Sequence, residues 1–177
     1  MRNVEIYVDL SSSDSGVTIL DIDSLEFSCH SLKVDIDKKE HDKNQRALLK
    51  IRELDKQFDE VVHNKLIIHR FILESPFVNS KFLKSSEMVL KVHGFVLNKY
   101  KNYNFSFFTP AEIKKAITGR GNASKEDVIA AIKEKGFDLD IDGVSNDNVY
   151  DSFAILLTNY KDDKQITNSI KKVDKLL

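Results

Sequence analysis

The stretch Val4-Glu5-Ile6-Tyr7-Val8-Asp9-Leu10 alternates in the manner of a β-strand and carries an aspartate at its end. Small polar residues over 11–16 then turn the chain into a second apolar run over 17–22. A carboxylate at the end of a buried strand is costly unless a cation or a polar partner compensates its charge. Asp9 is therefore the first candidate site residue, although an aspartate before a run of serines also suits a cap of the turn.

The order of the elements along the chain indicates an α/β fold. Three strands come first, followed by alternating helices and strands and then by helices alone. This order suits a mixed five-stranded sheet flanked by helices, with the first and fourth strands as parallel neighbours at its centre. The hydrophobic pattern predicts strands over 4–10, 17–22, 25–34, 66–74 and 104–108, and helices over 47–61, 85–100, 110–118, 124–135 and 147–160.

Further carboxylates complete a candidate metal site. Glu74 ends the fourth strand, so we expect it beside Asp9 at the same edge of the sheet. Two neighbouring carboxylates repel each other, which favours a divalent cation between them. The last long helix adds Asp147 and Asp151, which share one helix face at a spacing of i, i+4. All-oxygen sites suit hard cations, and two such ions about 4 Å apart promote phosphodiester hydrolysis.

Five short motifs follow one another in a characteristic order. The motifs are the strand-end Asp9, Leu73-Glu74-Ser75-Pro76-Phe77, Thr109-Pro110-Ala111-Glu112-Ile113-Lys114-Lys115, Gly119-Arg120-Gly121-Asn122-Ala123-Ser124-Lys125 and Asp151-Ser152-Phe153-Ala154. Together they resemble the motifs of RuvC-type Holliday junction resolvases, which are nucleases of the RNase H-like superfamily, and the resemblance runs from about residue 3 to residue 160.

The resemblance implies an RNase H-like fold and a homodimer that nicks two opposing strands of a four-way DNA junction. It implies two Mg²⁺ ions in each active site, with Mn²⁺ as a substitute. By position, Asp9 would bridge the two ions, and Glu74 and Asp151 would each complete the shell of one ion. The family has a fourth metal-binding side chain three residues before the last aspartate, where this chain has Asn148. Asp147 is an alternative, and the choice between them stays open.

The resemblance also assigns residues to DNA binding. Lys114 and Lys125 match two family lysines near the scissile phosphate, and Phe77 matches an aromatic residue that stacks on an unpaired base. Lys115 and Arg120 belong to the same basic segment, residues 81–135, which carries 11 lysines and arginines against 5 acids and a net charge of +6. Such a segment suits contact with a DNA backbone, and equally the solvated faces of lysine-rich helices.

Composition favours one domain in the cytoplasm. A chain of 177 residues with 41% hydrophobic residues suits a single globular domain, assigned here to residues 1–160 with a polar, loosely held tail over 161–177. We expect no signal peptide and no membrane segment, and the single cysteine, Cys29, suits a reducing compartment. The expected location is a bacterial cell or an infected host cell, and the lysine-, asparagine- and isoleucine-rich composition favours a bacteriophage source.

Other functions compete with junction resolution. A related RNase H-like nuclease would cut other branched DNA or an RNA–DNA hybrid, and the loss of an acid would leave a junction-binding protein without catalysis. Residues 9–16 also resemble the phosphate loop of actin-like ATPases, which require two such domains.

For the homodimer, we expect an interface on the second helix, through its apolar residues Phe82, Val89, Val92 and Val96.

Overall fold

Three strands come first in the fold, and helices and strands then alternate as far as β5, as the sequence pattern predicts. The computed structural model describes residues 1–36, 42–63, 65–76, 83–140 and 146–173. The elements in chain order are β1 (Arg2–Asp9), β2 (Asp14–Asp21), β3 (Glu26–Lys33), α1 (Lys43–Val61), β4 (Leu66–Glu74), α2 (Leu83–Lys99), β5 (Asn104–Phe108), α3 (Pro110–Thr118), α4 (Lys125–Glu134), α5 (Asp147–Asn159), α6 (Lys164–Ser169) and β6 (Lys171–Lys172).

The strands form one mixed sheet in the order β5-β4-β1-β2-β3-β6. The β1, β2 and β3 strands are antiparallel neighbours, whereas β4 is parallel to both β1 and β5. The prediction that the first and fourth strands are parallel neighbours inside the sheet is therefore confirmed. The sheet differs from the predicted five strands by β6, which pairs with Glu26 and Phe27 of β3.

The two faces of the sheet pack against different helices. Val4, Ile6 and Val8 of β1 face a core that α1 and α2 complete with Phe58 and Val96. Tyr7 faces the opposite core, to which α3, α4 and α5 contribute. Because side chains alternate along a strand, Asp9 belongs to the same face as Tyr7 and is directed towards α5. None of the helices in the described ranges has both the length and the apolar character that a membrane span requires.

The segment after residue 160 is more ordered than the predicted loosely held tail. It forms α6 and β6 through residue 173, and Ile170 is buried in the core beneath α5. The amide of Lys171 donates to the carbonyl of Leu25 at 2.9 Å, and the amide of Val173 donates to that of Phe27 at 2.7 Å. Two consecutive lysines carry no strand pattern, so sequence analysis did not detect β6. The division of the chain at residue 160 stays a prediction.

Candidate active site

Two carboxylates end neighbouring parallel strands at the same edge of the sheet. The pairing of β1 with β4 ends with Val8 opposite Leu73, so Asp9 and Glu74 are the next residues on the two strands. Strand β5 extends this edge, since the amide of Ser75 donates to the carbonyl of Phe108 at 2.8 Å. The register therefore places the two acids side by side, as the sequence predicts.

The serine-rich turn after β1 closes without Asp9. The amide of Asp14 donates to Ser11 Oγ at 2.9 Å, and the amide of Ser11 donates to Ser15 Oγ at 3.1 Å. Within the described residues, no hydrogen bond reaches the carboxylate of Asp9 or that of Glu74. The structure therefore does not support the alternative role of Asp9 as the cap of this turn.

Helix α5 brings the third carboxylate, Asp151, to the same place. The side chain of Asn146 caps the helix by accepting from the amide of Asn148 at 3.1 Å. One turn later, Ser152 Oγ lies 2.9 Å from Thr18 Oγ1 of β2, which attaches the helix to the sheet in the buried interior. The start of α5 is thus held close to the strand that pairs with β1.

Gly16 permits this close approach of helix and sheet. It lies opposite Asp9 in the β1–β2 ladder, and a Cβ atom built on it would lie 1.8 Å from the backbone oxygen of Asn148. Only a residue without a side chain leaves room for the first turn of α5 at this distance. Gly16 is therefore a site-forming residue that sequence analysis missed.

We expect Gly16→Ala to displace the first turn of α5 and with it Asp151. Because the clash is with backbone rather than with a flexible side chain, relief requires movement of the helix or the strand, at a cost of about 2–3 kcal/mol. Chemical denaturation would measure the loss of stability, and a cleavage assay would measure the loss of activity. Gly121→Ala is the matched control, since its Cβ would come no closer than 3.3 Å to another atom, the backbone oxygen of Ala111. Equal behaviour of the two variants would contradict this role of Gly16.

The three acids line one cavity of about 220 Å³ together with two lysines, Lys114 and Lys125. Lys114 lies in the middle of α3 and Lys125 is the first residue of α4. Both helices begin with a capping box, formed by Thr109 with Glu112 and by Ser124 with Asp127. The full lining is Asp9, Glu74, Pro110, Ile113, Lys114, Lys125, Val128 and Asp151. The cavity therefore combines acids from β1, β4 and α5 with cations from α3 and α4.

The charges in this cavity are not balanced. Burial, followed by the repulsion of Asp151, raises the pKa of Asp9 to about 7. Burial and the neighbouring Asp9 and Asp151 raise the pKa of Glu74 to about 8. Burial also raises the pKa of Asp151, although Lys125 opposes this by donating a hydrogen bond of 2.6 Å to Asp151 Oδ2. When all three acids are ionised, the site holds more negative charge than its two lysines compensate.

These raised pKa values predict that the metal-free protein loses stability as the pH rises. In the unfolded chain both carboxyls release their protons near pH 4, whereas the folded protein keeps them until about pH 7 for Asp9 and pH 8 for Glu74. Their contribution is complete below about pH 4 and is lost as the pH rises through those two values. We expect the melting temperature of Asp9→Asn in EDTA to exceed that of the wild type by an amount that grows from pH 5 to pH 8.5. A constant difference would contradict the pKa assignment.

The donor set fits a divalent cation in its chemistry. Carboxylate oxygens are the ligands that Mg²⁺ and Mn²⁺ prefer, and a cation would relieve the repulsion that raises the pKa values of Asp9 and Glu74. Within the described residues, however, no three acids, histidines or cysteines lie close enough to form a ready-made metal site. A cation held by all three carboxylates would therefore require them to draw together.

The other predicted site residues lie outside this cavity. Asp147 is exposed at the start of α5 and acts on Asp151 only through its charge, which raises the pKa of Asp151. Asn148 is half-buried and contacts Gly16 through its backbone. Lys115 is exposed, and Arg120 pairs with Asp127 at 3.2 Å. Phe77 lies outside the described residues, so its predicted stacking role stays a prediction, as does the choice between Asp147 and Asn148.

A buried polar network joins the three elements that carry the acids. Glu5 of β1 accepts hydrogen bonds from Arg70 Nε of β4 at 2.7 Å, from Tyr160 Oη at 2.8 Å and from the hydroxyl of Tyr7. Asn159 at the end of α5 donates to Tyr7 Oη at 3.2 Å. Glu5 lies four residues before Asp9 on β1, and Arg70 lies four residues before Glu74 on β4. The network is therefore on the same face of the sheet as the acids, about 13 Å away along the strands. Sequence analysis did not detect it.

His93 of α2 contacts the backbone of the Glu74 strand end. Its Nε2 lies 3.2 Å from the carbonyl oxygen of Glu74, and its Nδ1 lies 2.9 Å from that of Val89. A neutral imidazole donates to one of these two oxygens. The buried His93 therefore has a structural place at the end of β4.

The arrangement of the acids defines a class of protein. Carboxylates at the ends of two adjacent central strands and on a packed helix, in a mixed sheet flanked by helices, are typical of RNase H-like nucleases. The chain matches the family model described as crossover junction endodeoxyribonuclease RuvC over residues 6–159. It therefore belongs to the RuvC family, which confirms the resemblance seen in the five sequence motifs.

Two solved structures show the same fold. A structure of Thermus thermophilus RuvC in complex with a Holliday junction substrate shares 16% sequence identity, with a TM-score of 0.62 over 93% of this chain and 96% of that one. A second structure of RuvC from Thermus thermophilus shares 18% identity, with a TM-score of 0.59 over 93% and 97% of the two chains. The prediction of an RNase H-like α/β fold is thus confirmed, with one additional strand.

Proposed function

We propose that this protein resolves four-way DNA junctions as a homodimer, by hydrolysing phosphodiester bonds with the help of two Mg²⁺ ions in each active site. The observation that supports this most is the single cavity that Asp9, Glu74 and Asp151 share with Lys114 and Lys125. Membership of the crossover junction endodeoxyribonuclease family supports the reaction class, and the junction bound to the Thermus protein supports branched DNA as the substrate.

The charged residues of the cavity divide into metal ligands and phosphate-binding lysines in this proposal. Asp9, Glu74 and Asp151 would hold the ions, with Asp9 shared between them. When bound, the two ions supply a water that is acidic near neutral pH and stabilise the leaving oxygen. Lys114 binds the phosphate from the side of α3. Lys125 pairs with Asp151 in the metal-free protein and exchanges this partner for a DNA phosphate in the complex.

Further DNA contacts would come from the surface around the cavity. Lys115 and Arg120 are exposed on and after α3, where they can reach the backbone of a bound strand. We propose Phe77 as the residue that stacks on an unpaired base, and Asp147 or Asn148 as the fourth polar group near the ions. We place the protein in the cytoplasm of a bacterial or infected host cell. We also propose that Mn²⁺ can substitute for Mg²⁺ in the reaction.

Cleavage of a synthetic four-way junction tests this function. The substrates are an end-labelled junction, a linear duplex and an RNA–DNA hybrid of matched length, each with Mg²⁺ or with EDTA. We expect paired nicks at opposing positions of the junction and none with EDTA. Cleavage of the hybrid alone would favour the related nuclease, and junction binding without metal-dependent nicks would leave a binding protein.

Helix α2 offers a different dimer surface from the predicted one. Val92 and Val96 are buried in the core of the domain, so their assignment to an interface was wrong. Val89 is half-buried, and Phe82 lies outside the described residues. The exposed face instead carries Leu90 and Leu97 with Gly94 between them, at a spacing of i, i+4 and i+7. We propose that this stripe packs against its copy in a second chain.

The double variant Leu90→Glu with Leu97→Glu tests the dimer. Because two pairs of like charges would then face each other across the interface, we expect a monomer by light scattering and single rather than paired nicks in the junction. Leu48→Glu on α1 is the control, since this leucine is 58% exposed against 44% for Leu90. A wild-type monomer, or a dimer that tolerates both glutamates, would contradict the assignment.

A further inference from the structure

A second cavity lies near the C-terminal ends of the helices whose earlier residues line the active site. Its volume is about 390 Å³, and it lies between the ends of α3, α4 and α5 and the helix α6. Ile117, Phe137 and Leu157 give it an apolar floor, and Lys135, Lys161 and Lys164 surround them. We call this the lysine cavity. No acidic side chain is among the residues that line it.

The three lysines have no carboxylate partner among the residues that the structure describes. Other lysines of the chain do form ion pairs: Lys133 of α4 pairs with Asp140, and on the other face of the sheet Lys91 and Lys99 of α2 pair with Glu87 and Asp59. The charge of Lys161 reaches Glu112, but that carboxylate already accepts hydrogen bonds from the backbone and hydroxyl of Thr109. Three unpaired ammonium groups around one concave site favour an anion.

The cavity continues the active site along helix α3. Lys114 lines the active-site cavity, and Ile117, less than one turn later, lines the lysine cavity. On α5, Asp151 lines the first and Leu157 the second, six residues on, which is about 9 Å along a helix axis. A DNA strand rises about 3.4 Å per nucleotide, so this separation is roughly three nucleotides.

We propose that the lysine cavity binds a phosphate of the DNA strand about three nucleotides from the cut, with the attached sugar or base on the apolar floor. This rests on the proposed function for the identity of the ligand, and the same chemistry would accept a free nucleotide. The aromatic ring of Phe137 is well placed to support a nucleotide, because it packs against Phe153 at 4.9 Å and is held by the core beneath it.

The test compares DNA binding in EDTA, where no cleavage occurs. The full chain carries Lys135→Gln, Lys161→Gln and Lys164→Gln together, and the control carries the same change at the exposed Lys56, Lys65 and Lys101. Both variants lose three charges. We expect the cavity variant to bind a labelled four-way junction at least 10-fold more weakly at about 0.1 M salt. The slope of log K against log[salt] should fall by about 0.9, the value for one phosphate contact.

The control variant should change affinity less than threefold, and its slope by less than about 0.3. Equal losses in the two variants would show that only net charge matters and would overturn the proposal. Titration of wild type and cavity variant with AMP, followed by calorimetry, separates the two phosphate sources. AMP binding that the cavity variant loses, with unchanged junction affinity, would assign the cavity to free nucleotides and overturn the DNA contact. None of these measurements depends on cleavage, so the binding results can be interpreted even if the protein shows no nuclease activity.

Discussion

Asp9→Asn is expected to reduce the rate of junction cleavage by about 1000-fold, while the variant still binds the junction. The substitution keeps the shape of the side chain and removes a carboxylate whose charge is coupled to both Glu74 and Asp151. Stabilisation of developing charge by bound cations contributes several kcal/mol to such reactions, and about 1.4 kcal/mol corresponds to a factor of ten in rate. Loss of one ligand charge from a site of three carboxylates therefore removes most of that contribution.

Single-turnover kinetics with an end-labelled junction in Mg²⁺ would measure this loss. The matched control is Asp14→Asn, because Asp14 lies near Asp9 but accepts a hydrogen bond from Ser31 Oγ at 2.6 Å and does not line the cavity. We expect the control to cleave within about threefold of the wild type. Comparable loss in both variants, or a loss below 10-fold in Asp9→Asn, would show that Asp9 does not hold the catalytic ions.

Arg70→Met is expected to lower the free energy of unfolding by about 3 kcal/mol, because it leaves the buried Glu5 carboxylate without its cation. Glu5 would keep only the hydroxyls of Tyr7 and Tyr160 and the distant amide of Asn159. In a chain of this size, the change corresponds to a fall in melting temperature of about 6–12 °C. We also expect slower cleavage, since the network joins the three elements that position the acids.

Chemical denaturation of Arg70→Met and of Arg2→Met would test this. The two arginine side chains are equally exposed, at 34%, and each pairs with acids of the sheet. Arg2→Met should lower the free energy of unfolding by only about 1 kcal/mol, because Asp21 keeps hydrogen bonds from the amides of Asp23 and Ser24. The double variant Glu5→Gln with Arg70→Met should recover part of the stability. A loss below 1 kcal/mol in Arg70→Met would contradict the account of the network.

The central part of the site was predictable from the sequence. Strand alternation and the order of elements place Asp9 and Glu74 at one edge of adjacent parallel strands, and the structure confirms this placement. The capping boxes that start α3 and α4 were also visible as Thr-Pro-Ala-Glu and Ser-Lys-Glu-Asp, and they hold Lys114 and Lys125 in the cavity. Both features are local patterns, and local patterns are what a single sequence shows directly.

Contacts between distant parts of the chain were not predictable in this way. Gly16 and Asn148 lie 132 residues apart, and only the packed fold shows that the glycine admits α5. A glycine inside a strand is a signal of close approach, but it does not name the neighbour. The same holds for Glu5, whose partners come from β4 and α5. For α2, periodicity identified the apolar stripe of Val92 and Val96, but it did not show that this stripe faces the core while Leu90 and Leu97 face outwards.

Titration of the metal-free protein with Mn²⁺ by calorimetry, in buffers of different ionisation enthalpy, tests the metal site most directly. Because Asp9 and Glu74 hold protons up to about pH 7 and 8, cation binding at pH 7 must release protons to the buffer. We expect wild-type protein to bind Mn²⁺ with release of about one proton or more, and Asp9→Asn to bind at least 10-fold more weakly with less release. Binding of equal affinity in the two proteins, or binding without proton release, would contradict the assignment of these carboxylates to the catalytic metal site.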